Sequence, residues 1–294
     1  MNDKQTMINR KILFLINPVA GKGEAMALIT RIREEFDEIP HEILISKEEG
    51  QISSLVKNEM ERGYTDVIAV GGDGTLAEVI NGVAERRISV GIIPTGSGND
   101  FLKTLNLSEN IKESMDRIKM GITDQLYLPK VNDHYFINVL GWGVDSEIIK
   151  EKNKNIIRDG KLNYLYSTLK MLMVYRPKEV KLTIDDREVL RTTYITAIAN
   201  GKYVGNGMKI CPDASPYKKE FQICTVSKMS RLKLLWNFRK IFKGTHGSVP
   251  EIEFFQGKDI RVEFQKDTVI QEDGNLLTVK ELRIKKESTI NFLR

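Results

Sequence analysis

The chain has 294 residues, 41% of them hydrophobic and 29% charged, which is enough apolar material for one large core or two ordinary ones beneath a solvated surface. No apolar run is long enough to span a bilayer, the start Met1-Asn2-Asp3-Lys4 lacks a signal-peptide core, and Cys211 and Cys224 are too few for a disulfide framework, so the expected location is the cytoplasm. The net charge of +5 is uneven: residues 1–130 carry 16 Lys+Arg against 20 Asp+Glu, while the remainder carries 29 against 20.

The first part alternates strand and helix. Lys11–Ile16 predicts a buried strand, followed by a loop and a helix over Glu24–Phe36. His41–Ser46 is a second strand with a helix near Ile52–Arg62. Asp66–Val70 leads into a glycine turn and a helix through Leu76–Ala84, and Val90–Ile93 leads into another turn. This alternation predicts an α/β domain, a parallel sheet with helices on both faces, and ligands in such sheets gather beyond the carboxyl ends of the strands. After about residue 125 the rhythm changes. Tyr135–Val139, Glu179–Ile184, Thr192–Ala199, Glu220–Val226, Glu251–Phe255, Ile260–Phe264 and Leu276–Ile284 read as strands, with helices only near Leu162–Val174 and Leu232–Phe242. That pattern predicts an antiparallel β-sandwich.

Three glycine loops follow the strands of the first part. They are Asn17-Pro18-Val19-Ala20-Gly21-Lys22-Gly23, then Gly71-Gly72-Asp73-Gly74-Thr75, then Pro94-Thr95-Gly96-Ser97-Gly98-Asn99-Asp100-Phe101. The first is not a Walker A loop, because Gly23 follows Lys22 where Ser or Thr would stand. Glycine lets successive N–H groups converge on one anion, and a helix N-terminus favours phosphate. Asp73 and Asp100 lie inside their turns, where each can reach a phosphate-bound magnesium directly or through water. A tight turn alone accounts for any one of these loops; three on one sheet edge point to an enzyme that holds a nucleoside triphosphate.

With Gly71–Leu76 continuing into Glu78-Val79-Ile80-Asn81-Gly82, and with Tyr135-Phe136-Ile137-Asn138 further on, the chain resembles the diacylglycerol kinase catalytic family, which includes soluble bacterial lipid kinases and sphingosine kinases. The resemblance implies a nucleotide-binding α/β domain over residues 1–128, completed by the tail 286–294. It also implies a β-rich lipid-substrate domain over 129–285, with the active site between the two. The implied donor is ATP with Mg2+, and the implied acceptor is membrane diacylglycerol, giving phosphatidic acid. Implied ATP contacts are Asn17, Pro18, Val19, Ala20, Gly21, Ser46, Gly72, Asp73, Gly74, Thr75, Leu76, Ala77, Glu78 and Ser97. Asp73, Asp100 and Asp124 match acidic positions used around the catalytic magnesium, through water; Asp124 taken by itself reads as a solvated loop residue.

The chain departs from the family pattern twice. The family ends a hairpin with Asp-Gly-Glu, whose glutamate is the general base, and this chain has Asp273-Gly274-Asn275. An amide cannot take the proton, and Glu272 and Asp273 are the nearest carboxylates, on opposite faces by strand alternation. In Pro212–Glu220 the family has Asp-Asp-Gly and a structural magnesium; Lys218 stands at the metal aspartate's position, so the ion is expected to be absent and an ammonium to support the loop instead.

The stretch Arg231–Lys243 is basic and apolar, as a membrane-surface helix would be, but its apolar residues wrap so far around that packing on the sandwich is the preferred reading. His41, His134 and His246 have no metal-ligand spacing, and nothing matches a nucleic-acid module. The leading expectation is a lipid kinase in peripheral contact with the membrane, with a homodimer allowed but not required. The alternatives are a kinase-like nucleotide binder with weak or no turnover, motivated by Asn275, and a kinase for another acceptor, such as a sphingoid base or, since NAD kinases share Gly-Gly-Asp-Gly, a soluble one.

Overall fold

The computed structural model describes residues 10–48, 50–154 and 160–294; the reading of Met1–Lys4 falls outside them. The described chain forms two compact units. One comprises the residues up to Tyr127 together with Ser288–Arg294, and the other comprises Leu128–Glu287.

The first unit runs β1 (Ile12–Ile16), α1 (Glu24–Glu35), β2 (His41–Ile45), α2 (Gln51–Glu59), β3 (Asp66–Gly71), α3 (Asp73–Val83), β4 (Ser89–Pro94), α4 (Asp100–Thr104) and α5 (Ile111–Met120). β1 pairs in parallel with β2 on one side and β3 on the other, and β3 pairs in parallel with β4. All five residues of β1 are buried, so its sequence is a continuous apolar run rather than an alternating one. Ile12, Phe14 and Ile16 pack against Ala25, Leu28 and Ile32 of α1 and against Met115 and Ile118 of α5. Parallel pairing places the loops after β1, β3 and β4 at one edge of this sheet.

The second unit follows with the end of β5 (Thr123–Val131), from Leu128 on, then β6 (His134–Tyr135), β7 (Val139–Gly143), α6 (Val144–Lys154), α7 (Gly160–Val174), β8 (Lys178–Ile184), β9 (Arg187–Ala199), β10 (Phe221–Ser227), α8 (Arg231–Phe238), α9 (Lys240–Lys243), β11 (Ile252–Gly257), β12 (Asp259–Glu272) and β13 (Asn275–Leu293). Its strands are ordered β11-β10-β9-β7-β12-β13 by antiparallel pairs, with β8 joined to β9 and β12. Period-two alternation divides the side chains between two cores. Leu140, Ile198, Ile223 and Ile270 fill one, between strands; Val139, Ala197, Ala199 and Cys224 face the other, which α6, α7 and α8 cover. The last residues of β13 belong to the first unit, where Asn291 and Phe292 pair in parallel with Ser89 and Val90.

Several elements differ from the sequence expectation. Tyr135–Val139 is not one strand: β6 ends at Tyr135 and β7 begins at Val139, because the Ile137 and Asn138 amides bond to a side chain instead of a neighbouring strand. α5, β5 and α6 have no counterpart in the sequence reading. The strand expected at Leu276–Ile284 extends to Leu293, since its last residues pair in the first unit.

Candidate active site

The glycine loops of the first unit are packed on one another. Asn17 anchors the first: its backbone N–H donates to Val70 O (3.2 Å), its Nδ2 donates to Thr75 Oγ1 (3.3 Å), and its Oδ1 accepts from the Val19 N–H (3.2 Å). Gly21 abuts the Thr95 carbonyl so closely that a Cβ would collide with it. Gly72 and Gly96 meet backbone to backbone, and a Cβ on Gly96 would lie 2.5 Å from Gly72 Cα. Close approach, more than turn geometry, is therefore what demands glycine here. The result is a rim of main chain from which α3 starts at Asp73, with the free N–H groups of its first turn available to an anion. Val19 and Ser97 are exposed along this rim, and Thr95 Oγ1 and Asn99 Oδ1 are buried without a hydrogen-bond partner.

Asp73 joins two of the loops. Its Oδ2 accepts the Asp100 N–H (2.8 Å) and its Oδ1 accepts the Phe101 N–H (3.1 Å), capping α4. Burial pushes its pKa up to about 6; the two amides oppose this and the charge of Asp100 adds to it. Each oxygen keeps a lone pair, so the Asp73–Asp100 pair can accept a water held by a divalent cation. Lys103, one turn into α4, bonds the Gly98 carbonyl and lies 3.3 Å from Asp100 Oδ1. Sequence reasoning missed this cation, although its i,i+3 spacing from Asp100 on a helix was the available signal.

The other expected residues fare differently. Ser46 is buried and its N–H bonds Ile16 O. Leu76 and Ala77 are buried in α3, and the Leu76 N–H already donates to Gly72 O (3.1 Å). Glu78 Oε2 accepts the Ile52 N–H (2.9 Å) in the first turn of α2, so its carboxylate serves that helix. Asp124 is not grouped with Asp73 and Asp100; it pairs with Arg294 at 3.2 Å. Among the described residues, no three His, Cys, Asp or Glu side chains are placed to hold a metal ion directly.

In the second unit, Asp273 and Gly274 are the two positive-φ residues of the β12–β13 hairpin, the backbone an Asp-Gly pair favours. The Asp273 carboxylate accepts the N–H groups of Ile137 (2.6 Å), Asn138 (2.9 Å) and Val139 (3.1 Å), which creates the turn between β6 and β7 and removes Asp273 as a substitute base. Glu272 is buried and bonds His134 Nε2 at 2.6 Å. That hydrogen bond raises the His134 pKa against the effect of burial. Asn275 is exposed at the first position of β13. The His134–Glu272 pair was invisible in the sequence because 138 positions separate its members.

Residues 11–131 match the diacylglycerol kinase catalytic domain model, and residues 138–287 match the YegS C-terminal NAD kinase beta sandwich-like domain model. The chain belongs to the diacylglycerol kinase family. It is 30% identical over 92% of its length to a presumed lipid kinase of Staphylococcus carnosus, covering 91% of that protein. It is 34% identical over 67% of its length to a presumed lipid kinase of Staphylococcus haemolyticus, of which the match spans 64%. A Mycobacterium tuberculosis protein named diacylglycerol kinase is 27% identical over 86% of this chain and 85% of that one. A solved structure from Bacillus anthracis str. Sterne shares the fold, with a TM-score of 0.82 at 24% identity over 100% of this chain and 97% of that one.

The second unit of this lipid kinase contains a cavity of about 80 Å³ between the sheet and its covering helices. Val144, Leu172, Tyr194, Met208, Leu234 and Phe238 are among its walls, and Asp145 and His246 are buried beside them. Burial pushes the Asp145 carboxyl up to about 6, against a hydrogen bond from Gln271. The helices over the cavity also present apolar side chains outward: Leu162, Tyr166 and Val174 of α7 are exposed, and Leu232 and Trp236 of α8 are 80% and 74% exposed. Packing on the sandwich therefore accounts for Leu234 and Phe238 but not for Leu232 and Trp236. Among the described residues no helix is long and apolar enough to cross a membrane.

Proposed function

We propose that this chain transfers the γ-phosphoryl group of ATP to the free hydroxyl of diacylglycerol, giving phosphatidic acid. The observation that carries the reading is the close packing of three glycine loops at the carboxyl edge of the first unit's sheet, with the N-terminus of α3 opening onto it. In this scheme the main-chain N–H groups that open α3, Asp73–Thr75, hold the phosphates, while the Asn17–Gly21 loop, whose Asn17, Val19 and Ala20 N–H groups bond within the protein, forms a wall of the nucleotide site with Ser46, Gly72, Leu76–Glu78 and Ser97. Asp73 and Asp100 are the residues that would hold Mg2+ through water, whereas Asp124, paired with Arg294, would reach it only with that pair broken. Bound with the nucleotide, the ion offsets charge on the transferring group. Lys103 supplies a second positive charge beside the same turn.

The acceptor's acyl chains would lie against the second unit, whose cavity of about 80 Å³ has room for no more than the end of one chain, and Leu232 and Trp236 with neighbouring Arg239 and Lys243 suit the surface of an anionic bilayer. Asn275 leaves the transfer without a carboxylate base at that position. Phosphoryl transfer depends chiefly on positioning and charge neutralisation, so turnover persists at a reduced rate. The test is incubation with labelled ATP, Mg2+ and a total lipid extract, in parallel with NAD, and identification of the labelled product by mass. Label in phosphatidic acid supports the proposal. Label in another lipid or in NAD reassigns the acceptor, and nucleotide binding without transfer to any acceptor removes the catalytic reading.

A further inference from the structure

Along β13, Leu282, Ile284 and Lys286 occupy successive inward positions, each no more than 1% exposed. An aliphatic residue would continue the pattern at 286. Burying an ammonium there is costly unless its hydrogens are all matched. They are: Lys286 Nζ donates to the carbonyl oxygens of Ser215 (3.2 Å), Lys218 (2.9 Å) and Glu220 (3.0 Å). The ring of Phe221 lies 4.9 Å from the same nitrogen.

The three carbonyls belong to one loop, Pro212–Glu220, which thus bends around a single positive charge. Of the loop's two carboxylates, Glu220 pairs with Lys258 (3.2 Å) and Asp213 bonds Gln222: its Oδ2 accepts from Gln222 Nε2 (3.3 Å), and its N–H donates to Gln222 Oε1 (2.7 Å). Lys218, expected from the sequence to provide the supporting cation, contributes its carbonyl instead. Burial draws the Lys286 pKa below the usual lysine range, and Glu220 acts against that shift. The carbonyls also favour the charged form, since a neutral amine has only two N–H bonds and would turn its lone pair toward the third oxygen.

We infer that Lys286 is a built-in structural cation: its ammonium fills an oxygen-lined site in the 212–220 loop, so that this loop is ordered by a tethered side chain rather than by a dissociable metal ion. A divalent ion does not fit beside it, because the three oxygens already accept from the ammonium, the ammonium would repel a second cation, and the Glu220 carboxylate is paired with Lys258 at 3.2 Å. The inference concerns the loop's stability and does not depend on the acceptor or on turnover.

The experiment is thermal unfolding without nucleotide. Wild type should melt at the same temperature in EDTA as in millimolar Mg2+. Lys286→Met, which keeps the bulk and removes the charge, should melt roughly 5–10 °C lower in both. In Lys286→Ala, propylammonium should recover part of the loss, whereas Mg2+ should not. A wild-type melting point that falls in EDTA and returns with Mg2+ overturns the inference, and so does a Lys286→Met protein as stable as wild type. Should neither variant fold, the 15N-detected ammonium signals of wild type decide: one slowly exchanging lysine Nζ supports the site, and its absence near pH 6 overturns it.

Discussion

The carboxylate of Asp73 accepts the backbone N–H of Asp100 at 2.8 Å, and this bond ties the turn after β3 to the turn after β4. One side chain therefore shapes the glycine rim and, in the proposed function, would also help to hold the magnesium. Asp73→Asn separates them. The amide oxygen can accept only one of the two N–H groups at good geometry, while its NH2 opposes the other, so stability should fall by about 1–3 kcal/mol without loss of fold. Transfer to diacylglycerol in mixed micelles should fall at least roughly 10³-fold, because an amide cannot replace the charge that positions the ion. An Asn variant with near-normal turnover would remove Asp73 from the chemistry.

The hairpin turn Asp273-Gly274 presents position 275 at the start of β13, exposed and free of the Asp273 amide clamp. Asn275→Glu should therefore introduce a carboxylate without disturbing the turn. A general base is typically worth about 10²–10⁴-fold, and kcat should rise by about 10²-fold with little change in the KM for ATP. No gain in kcat, with unchanged melting temperature, would mean that proton removal is already handled elsewhere.

One group able to handle it is His134, held by Glu272 at 2.6 Å. Its raised pKa means that it binds its proton more tightly in the folded chain than in the unfolded one. The stability this pair contributes is complete below the ordinary histidine pKa and is lost as pH rises through the folded value. His134→Gln should flatten the melting temperature between pH 6 and 8. If His134 also accepts the substrate proton, the same change should lower kcat and erase the alkaline rise in rate, whereas a purely structural pair would leave the pH–rate profile in place.

The local elements of the first unit were legible because their signals are local. The unbroken run Ile12–Ile16 declares a strand covered on both faces, and glycines at 72 and 96 mark where two backbones touch. Long-range pairings carried no such mark. Asp273 reaches back 136 positions to Ile137 and so breaks an apparent strand into β6, a turn and β7. Lys286 reads as one more charge in a basic strand, and only the meeting of β13 with a loop 66 to 71 positions earlier reveals it as buried. Asp124 shows the reverse case: a family position suggests a metal neighbour, and the structure pairs it with Arg294.

Leu232 and Trp236 lie on the outer face of α8, and the Arg239 guanidinium sits 5.6 Å from the Trp236 ring. Leu232→Ser combined with Trp236→Ser removes apolar surface that makes no core contact, so the melting temperature should stay within about 2 °C. Cosedimentation with vesicles containing anionic lipid should weaken about tenfold or more, since burying two such side chains is worth several kcal/mol. The apparent KM for diacylglycerol in those vesicles should rise in parallel, with the KM for ATP unchanged. Equal binding by wild type and the double variant would place the membrane contact on another face.

Asp145 lies beside the cavity of the second unit, enclosed by apolar walls and helped only by Gln271. Its pKa of about 6 in the folded chain exceeds the unfolded carboxyl value of about 4. The folded state thus holds the extra proton between those values, and stability tied to Asp145 is full below pH 4 and declines as pH rises to 6, by on the order of 3 kcal/mol. Asp145→Asn keeps the size and a hydrogen-bonding partner for Gln271 but has no proton to lose. Its stability should match wild type at pH 4 and exceed it at pH 7, as measured by urea midpoints at the two pH values. The same substitution should slightly tighten binding of an uncharged acyl chain in the cavity. A variant destabilised at both pH values would mean that the ionised carboxylate has a partner there, and would reverse the sign of this assignment.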